Sequence, residues 1–175
     1  MVASRCAATQ LLSARTEFPD AWAQLFAPVG AGQGLALALS LQHFPFTASS
    51  QQVTITAVSA ILLFTADKTY TDYQALGVAA RLKAHLGFAT AAGTPPTTTT
   101  TFAPAPALGQ LPVAPLTLAG PVGPLSLAFV EADLANAPLL DQPQAGPDGA
   151  SHHRLNPALI DDILILVSYK LEARP

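Results

Sequence analysis

Ser151, His152 and His153 stand together in a Gly/Pro-rich stretch, with Asp148 just upstream and the pair Asp161-Asp162 downstream. A hydroxyl, an imidazole and a carboxylate are the parts of an acyl-transfer triad, Ser151 being the nucleophile. Chain neighbours seldom supply one, because its members must converge from separate elements, and no Gly-x-Ser-x-Gly turn surrounds Ser151. His152, His153 and Asp148 are also donor types for a metal. Adjacent residues of an extended chain, however, point to opposite faces, and no His-x-His spacing brings two rings together. A solvated loop is the expectation for all four. Asp161 and Asp162 offer oxygens to Ca²⁺ without the further closely spaced ligands such a site needs. Their expected role is to keep a buried strand from extending or mispairing. Trp22, Tyr70 and Tyr73 carry rings that stack on sugars, although Trp22 beside Pro19 is expected to pack on the core as a plug. No residue is assigned a catalytic, cofactor or metal role, and the chain is read as a non-enzyme.

The elements that would position these residues are strands. Asp161-Asp162 open a run of six aliphatic or hydroxyl-closed positions, Ile163-Leu164-Ile165-Leu166-Val167-Ser168, then Tyr169-Lys170-Leu171. It is too short to cross a bilayer and reads as a strand buried on both faces. Leu35, Leu37, Leu39 and Leu41 alternate with small residues after a Gly-rich turn (Gly30 to Gly34), which predicts a strand with one leucine face, ended by Phe44-Pro45-Phe46. Val53 to Thr65 is a second strong strand region, rich in β-branched residues. Residues 74–88 fit a helix or a strand, with a strand from about Arg81 to Phe88 favoured because its flanks are β. Leu116 and Leu118, then Leu125, Leu127 and Phe129, add short strands, and one helical turn is expected within 132–140. Residues 90–115, with the run Thr97 to Thr101 set among prolines, and 141–154 are expected as flexible loops. The count is six to eight short strands between Pro/Gly turns. That predicts an all-β, antiparallel, jelly-roll-like β-sandwich with long Pro/Thr-rich loops: a lead-in over 1–17 and a single domain over 18–172.

Composition narrows the function classes. Half of the 175 residues are hydrophobic and only 11% are charged, yet the apolar residues are dispersed and no membrane span is expected. A net charge of -3 leaves no basic patch, and only Arg81 and Lys83 lie close together, so nucleic-acid binding lacks its electrostatic footprint. Cys6 is the only cysteine, which excludes a disulfide framework and a cysteine zinc site. The first fifteen residues lack the apolar core of a signal peptide. Apart from His43, nothing ionisable lies between Asp20 and Asp67. A surface so poor in charge suits protein contacts, although a plain bias towards Ala, Pro and Thr accounts for it equally well.

The order of motifs carries a resemblance. Phe18-Pro19-Asp20-Ala21-Trp22 precedes the leucine strand and Phe44-Pro45-Phe46; Ile61-Leu62-Leu63-Phe64, Gly123-Pro124-Leu125-Ser126-Leu127 and the closing strand from Asp161 to Tyr169 follow. Together they resemble the C-terminal β-domain of Tc-toxin A subunits and related insecticidal-toxin-like proteins, over about Phe18 to Leu171. The resemblance implies a β-sandwich that docks to a B-type partner subunit in a secreted, toxin-translocating complex, and a homo-oligomer when part of the longer A chain. It implies no catalytic residue. The helical shaft and channel of that family have no counterpart here, so the expectation is a fragment or stand-alone copy for which docking, not pore formation, carries over. A carbohydrate-binding sandwich is the alternative expectation.

Overall fold

The computed structural model describes residues 6–27, 32–45, 51–65, 83–88, 98–132, 140 and 143–173. They form an all-β, antiparallel fold in which two sheets curl into a sandwich. The larger sheet is built on two strands of 14 residues, β3 (Gln51–Phe64) and β11 (Ile160–Ala173). Its remaining strands are β1 (Cys6–Ser13), β6 (Ala103–Ala105) and β7 (Leu111–Pro121), in the order β1-β11-β3-β7-β6. The smaller sheet runs β2 (Gly32–Leu37), β8 (Leu125–Val130), β4 (Lys83–Phe88) and β5 (Thr99–Thr101). A two-stranded hairpin, β9 (Gln144–Ala145) and β10 (Ser151–His152), precedes β11. Two short helices, α1 (Ala14–Glu17) and α2 (Pro19–Leu25), follow β1, with Pro19 at the first turn of α2, where a missing N–H costs nothing.

The core lies between the sheets. Ile163, Ile165, Val167 and Tyr169 of β11 face Leu62, Ala60, Val58 and Ile55 of β3, and the smaller sheet closes over them with Leu35, Leu37, Leu86, Leu125 and Leu127. Fully burying one such leucine stabilises by roughly 1.5–3 kcal/mol. The residues between them on β11, Leu164 and Leu166, are only half-buried. The expectation that this strand is buried on both faces is therefore corrected: one face is core and the other is the outside of the sheet.

Bulges set which residues face in. On β3 the register shifts between Ile55 and Ala57, so the inward set passes from Val53 and Ile55 to Val58, Ala60, Leu62 and Phe64. The extra residue, Thr56, donates its hydroxyl to the Ser168 carbonyl at 3.1 Å, satisfying a group beside the disrupted ladder. A second shift on β11, between Ile160 and Asp162, leaves Asp161 exposed and Asp162 buried.

Three further expectations are corrected. Residues 1–17 are not a lead-in, since Cys6–Ser13 pairs along its whole length with β11. The leucine strand stops at Leu37, opposite Leu125, where its partner strand gives way to Pro124; Leu39 stays buried, but Leu41 lies in a 3-10 turn, 41% exposed. Within 90–115, residues 98–115 are not a loop. They contain β5, β6 and the start of β7, and Phe102, fully buried, carries the chain from one sheet to the other and stacks on Phe129. The prolines are tolerated because Pro104 pairs with Pro112 on the short outermost strand, while Pro115 and Pro121 lie where β7 pairs with β3 on one side only. The strand favoured over 81–88 is present as β4. Residues 74–82, Tyr70, Tyr73, 90–97 and the helical turn expected within 132–140 (apart from Ala132 and Leu140) fall outside the described residues.

Candidate functional site

The residues with chemical potential gather into two separate polar clusters. The first is built on His152. The turn between β9 and β10 is closed by Gly146 N–H donating to the Ala150 carbonyl at 2.7 Å and by Gly149 N–H donating to the Gly146 carbonyl at 3.0 Å. Gly149 has φ +78°, a left-handed conformation that glycine adopts without strain. This turn carries Asp148 back over the strand it leads into, so that Asp148 Oδ2 lies 2.8 Å from His152 Nε2. From the other side, Glu131, which directly follows β8, places Oε2 3.2 Å from His152 Nδ1. The remaining oxygens are also used: Asp148 Oδ1 accepts from Ala150 N–H at 3.1 Å, and Glu131 Oε1 from His153 N–H at 2.6 Å.

The electrostatics follow from this enclosure. His152 has its pKa raised from the ordinary 6.5, first by its hydrogen bond to Asp148 and then by that to Glu131. Asp148 is lowered from 3.8, chiefly by His152 and then by the Ala150 N–H. Glu131 is lowered from 4.5, chiefly by the His153 N–H, with burial opposing and His152 adding to the effect. With 12% of its side chain exposed, His152 is not the solvated residue that its Gly/Pro-rich surroundings predicted.

This arrangement decides the sequence-based candidates. Both ring nitrogens of His152 meet carboxylates, which leaves neither to take a proton from Ser151, itself exposed. The two carboxylates lie at opposite ends of one ring rather than converging on a point. Among the described residues no group of three His, Cys, Asp or Glu side chains is disposed to hold a metal ion. Glu131 was invisible as a partner, standing 21 residues from His152 with no motif to link them.

The second cluster surrounds Asp162. Its Oδ2 accepts from the Ser13 hydroxyl at 2.6 Å, and its Oδ1 from the Arg15 N–H at 3.0 Å and the Ile163 N–H at 2.7 Å. Ser13 in turn caps α1, accepting from Thr16 N–H at 3.1 Å, and Arg15 reaches Asp161 at 2.6 Å. The acidic pair is therefore an anchor between β11 and the junction of β1 with α1. Asp162 meets the Ser13 hydroxyl and the Arg15 N–H, and Asp161 Oδ1 meets the Arg15 guanidinium, so donors from the first elements of the chain reach both residues of the pair.

Of the aromatic candidates only Trp22 lies among the described residues, and it packs against the core. Trp22 is half-buried on α2, edge-on to Phe26 at 5.0 Å, and Tyr169 is buried against Phe44 at 4.8 Å. No helix among the described residues is long and apolar enough to cross a membrane. No protein-family model matches the chain, and no curated protein matches it in sequence.

Proposed function

We propose that this chain is a non-enzymatic docking module that meets a partner protein through the β1 edge of its larger sheet and the outer face beside it. The observation that carries the reading is the character of β1. It is an eight-residue outermost strand, Cys6–Ser13, with no charged residue and no proline, the devices that ordinarily blunt an edge. Leu11, 50% exposed, points outward from it next to Leu166 of β11. The neighbouring register row runs Leu164, Ile61, Val113, Ala103 across four strands, with Ile61 buried, Leu164 and Val113 half-buried and Ala103 exposed. A strand that is outermost among the described residues, with exposed Leu11 and half-buried Leu166 on its outer face, suits strand addition by a partner, main-chain bonds supplying affinity and the leucines supplying fit. The resemblance of the motif order to Tc-toxin A C-terminal domains supplies the partner class, a B-type toxin-complex subunit.

Biolayer interferometry between the purified chain and a B-type subunit tests this. Saturable binding that Leu11→Lys weakens supports the reading. No binding by a chain shown to be folded overturns it, and a glycan array then tests the carbohydrate-binding alternative.

A further inference from the structure

We infer that protonation of His152 latches the hairpin formed by residues 143–155 onto the end of the smaller sheet, and that deprotonation releases its turn. The ring needs both of its protons here. An imidazole with a carboxylate oxygen at hydrogen-bonding distance from each nitrogen satisfies both only as the doubly protonated cation, because the neutral ring has a single N–H. When one proton leaves, a lone pair faces a carboxylate, and one of the two contacts is lost. Asp148 is the partner to leave. Its side chain is 48% exposed and sits on a turn, whereas that of Glu131 is 20% exposed and directly follows a core strand.

The hairpin's own ladder is short. Its two strands are two residues each, too short a ladder for independent stability. Below His152 the chain is fastened to the sheet by Leu155, fully buried, whose N–H donates to the side-chain oxygen of buried Gln33 on β2, and by a bridge between Leu155 and Leu140. Those contacts are indifferent to pH and fix the base of the hairpin; the imidazolium fixes its turn. Gly146 is shaped to the closed form, since a Cβ there would lie 2.7 Å from Asp148 Oδ1 and 2.8 Å from the His152 ring.

The charged groups touching the His152 ring among the described residues are Asp148 from the turn and Glu131 from the end of β8. His153, next along the chain, acts on Glu131 by its charge, and Arg154 is met by Gln144 once that amide turns its oxygen to the guanidinium. The direction of the pH response follows. The raised imidazole contributes stability that is complete below its ordinary 6.5 and lost as pH rises through its folded value. The lowered carboxylates contribute above their ordinary 3.8 and 4.5, and lose that contribution as pH falls through their folded values. The latch is therefore closed in mildly acidic solution and opens on the alkaline side.

The test is an NMR titration of His152 in the whole chain, together with amide exchange of residues 146–154 across the same pH series, corrected for intrinsic rates. The expected result is a His152 midpoint above 6.5 and a loss of protection in the turn that follows that midpoint. In Glu131→Gln and Asp148→Asn the midpoint falls and the step in protection shrinks. A wild-type midpoint at or below the ordinary value overturns the inference, as does protection that stays flat through the titration or a step that survives in both variants. Should either variant fail to fold, the wild-type midpoint and exchange profile decide alone.

Discussion

Asp162 and Glu131 each tie a stretch of chain to the sheets through both carboxylate oxygens, but they draw on different donors. Asp162 is held by a hydroxyl and two backbone N–H groups, with a guanidinium beside it on Asp161. Glu131 is held by one backbone N–H and an imidazole. Hydroxyl, amide and guanidinium donors do not change protonation in the middle of the pH range, whereas an imidazole does. One anchor is therefore constant and the other conditional, although their hydrogen-bond counts are similar. Location matches this difference: the constant anchor joins two long paired strands, and the conditional one fastens a two-residue hairpin.

Breaking what both anchors depend on gives the largest effect. Ile165 is fully buried in β11 between β1 and β3, and Ile165→Asp places an unpaired carboxylate in the core. The expected outcome is loss of the cooperative thermal transition followed by circular dichroism, since such burial costs several kcal/mol, on the order of the whole stability of a domain. Next comes the constant anchor. Asp162→Ala leaves the Ser13 hydroxyl and the Arg15 N–H without their acceptor, a loss of about 1–3 kcal/mol. Urea denaturation should show the same loss at about pH 6 and about pH 8, because the donors left behind do not titrate between them.

The conditional anchor should respond more weakly and only on one side. Gly146→Ala forces Asp148 and His152 apart. Its melting temperature should fall below wild type in mildly acidic solution, and the two should converge as pH rises and the wild-type latch opens. A difference that persists undiminished in alkaline solution would show that the two anchors are alike. The smallest effect is that of Ser151→Ala. Ser151 is exposed and faces no free imidazole nitrogen, so stability should stay within about 0.5 kcal/mol. Any ester hydrolysis by the wild type that disappears in this variant would return the triad to consideration.

The strand pattern was legible because alternation is local. Leu35 and Leu37, Val53 and Ile55, Leu125 and Leu127, and the run from Ile163 to Tyr169 announce their strands from neighbouring residues alone, and all lie where a β-sandwich needs them. The prolines of 98–115 misled because they exclude a central strand but permit an outer one, and the sequence does not say which position a strand will take. Cys6–Ser13 was passed over for a similar reason: an edge strand with a mixed pattern acquires its identity only from the strand it joins.

The class of fold, its strongest strands and the low charge of its surface were readable from the residues alone. All of these follow from side-chain type and short-range period. The rest came from tertiary structure: the bulge that turned Leu62 and Phe64 into the core, the meeting of Ser13 with Asp162, and the enclosure of His152 by Glu131 and Asp148. A bulge reverses the faces of every residue beyond it, and the Ser13–Asp162 contact depends on the register between β1 and β11. Register is fixed by how whole strands pair and close over a common core, and no local stretch of residues encodes that.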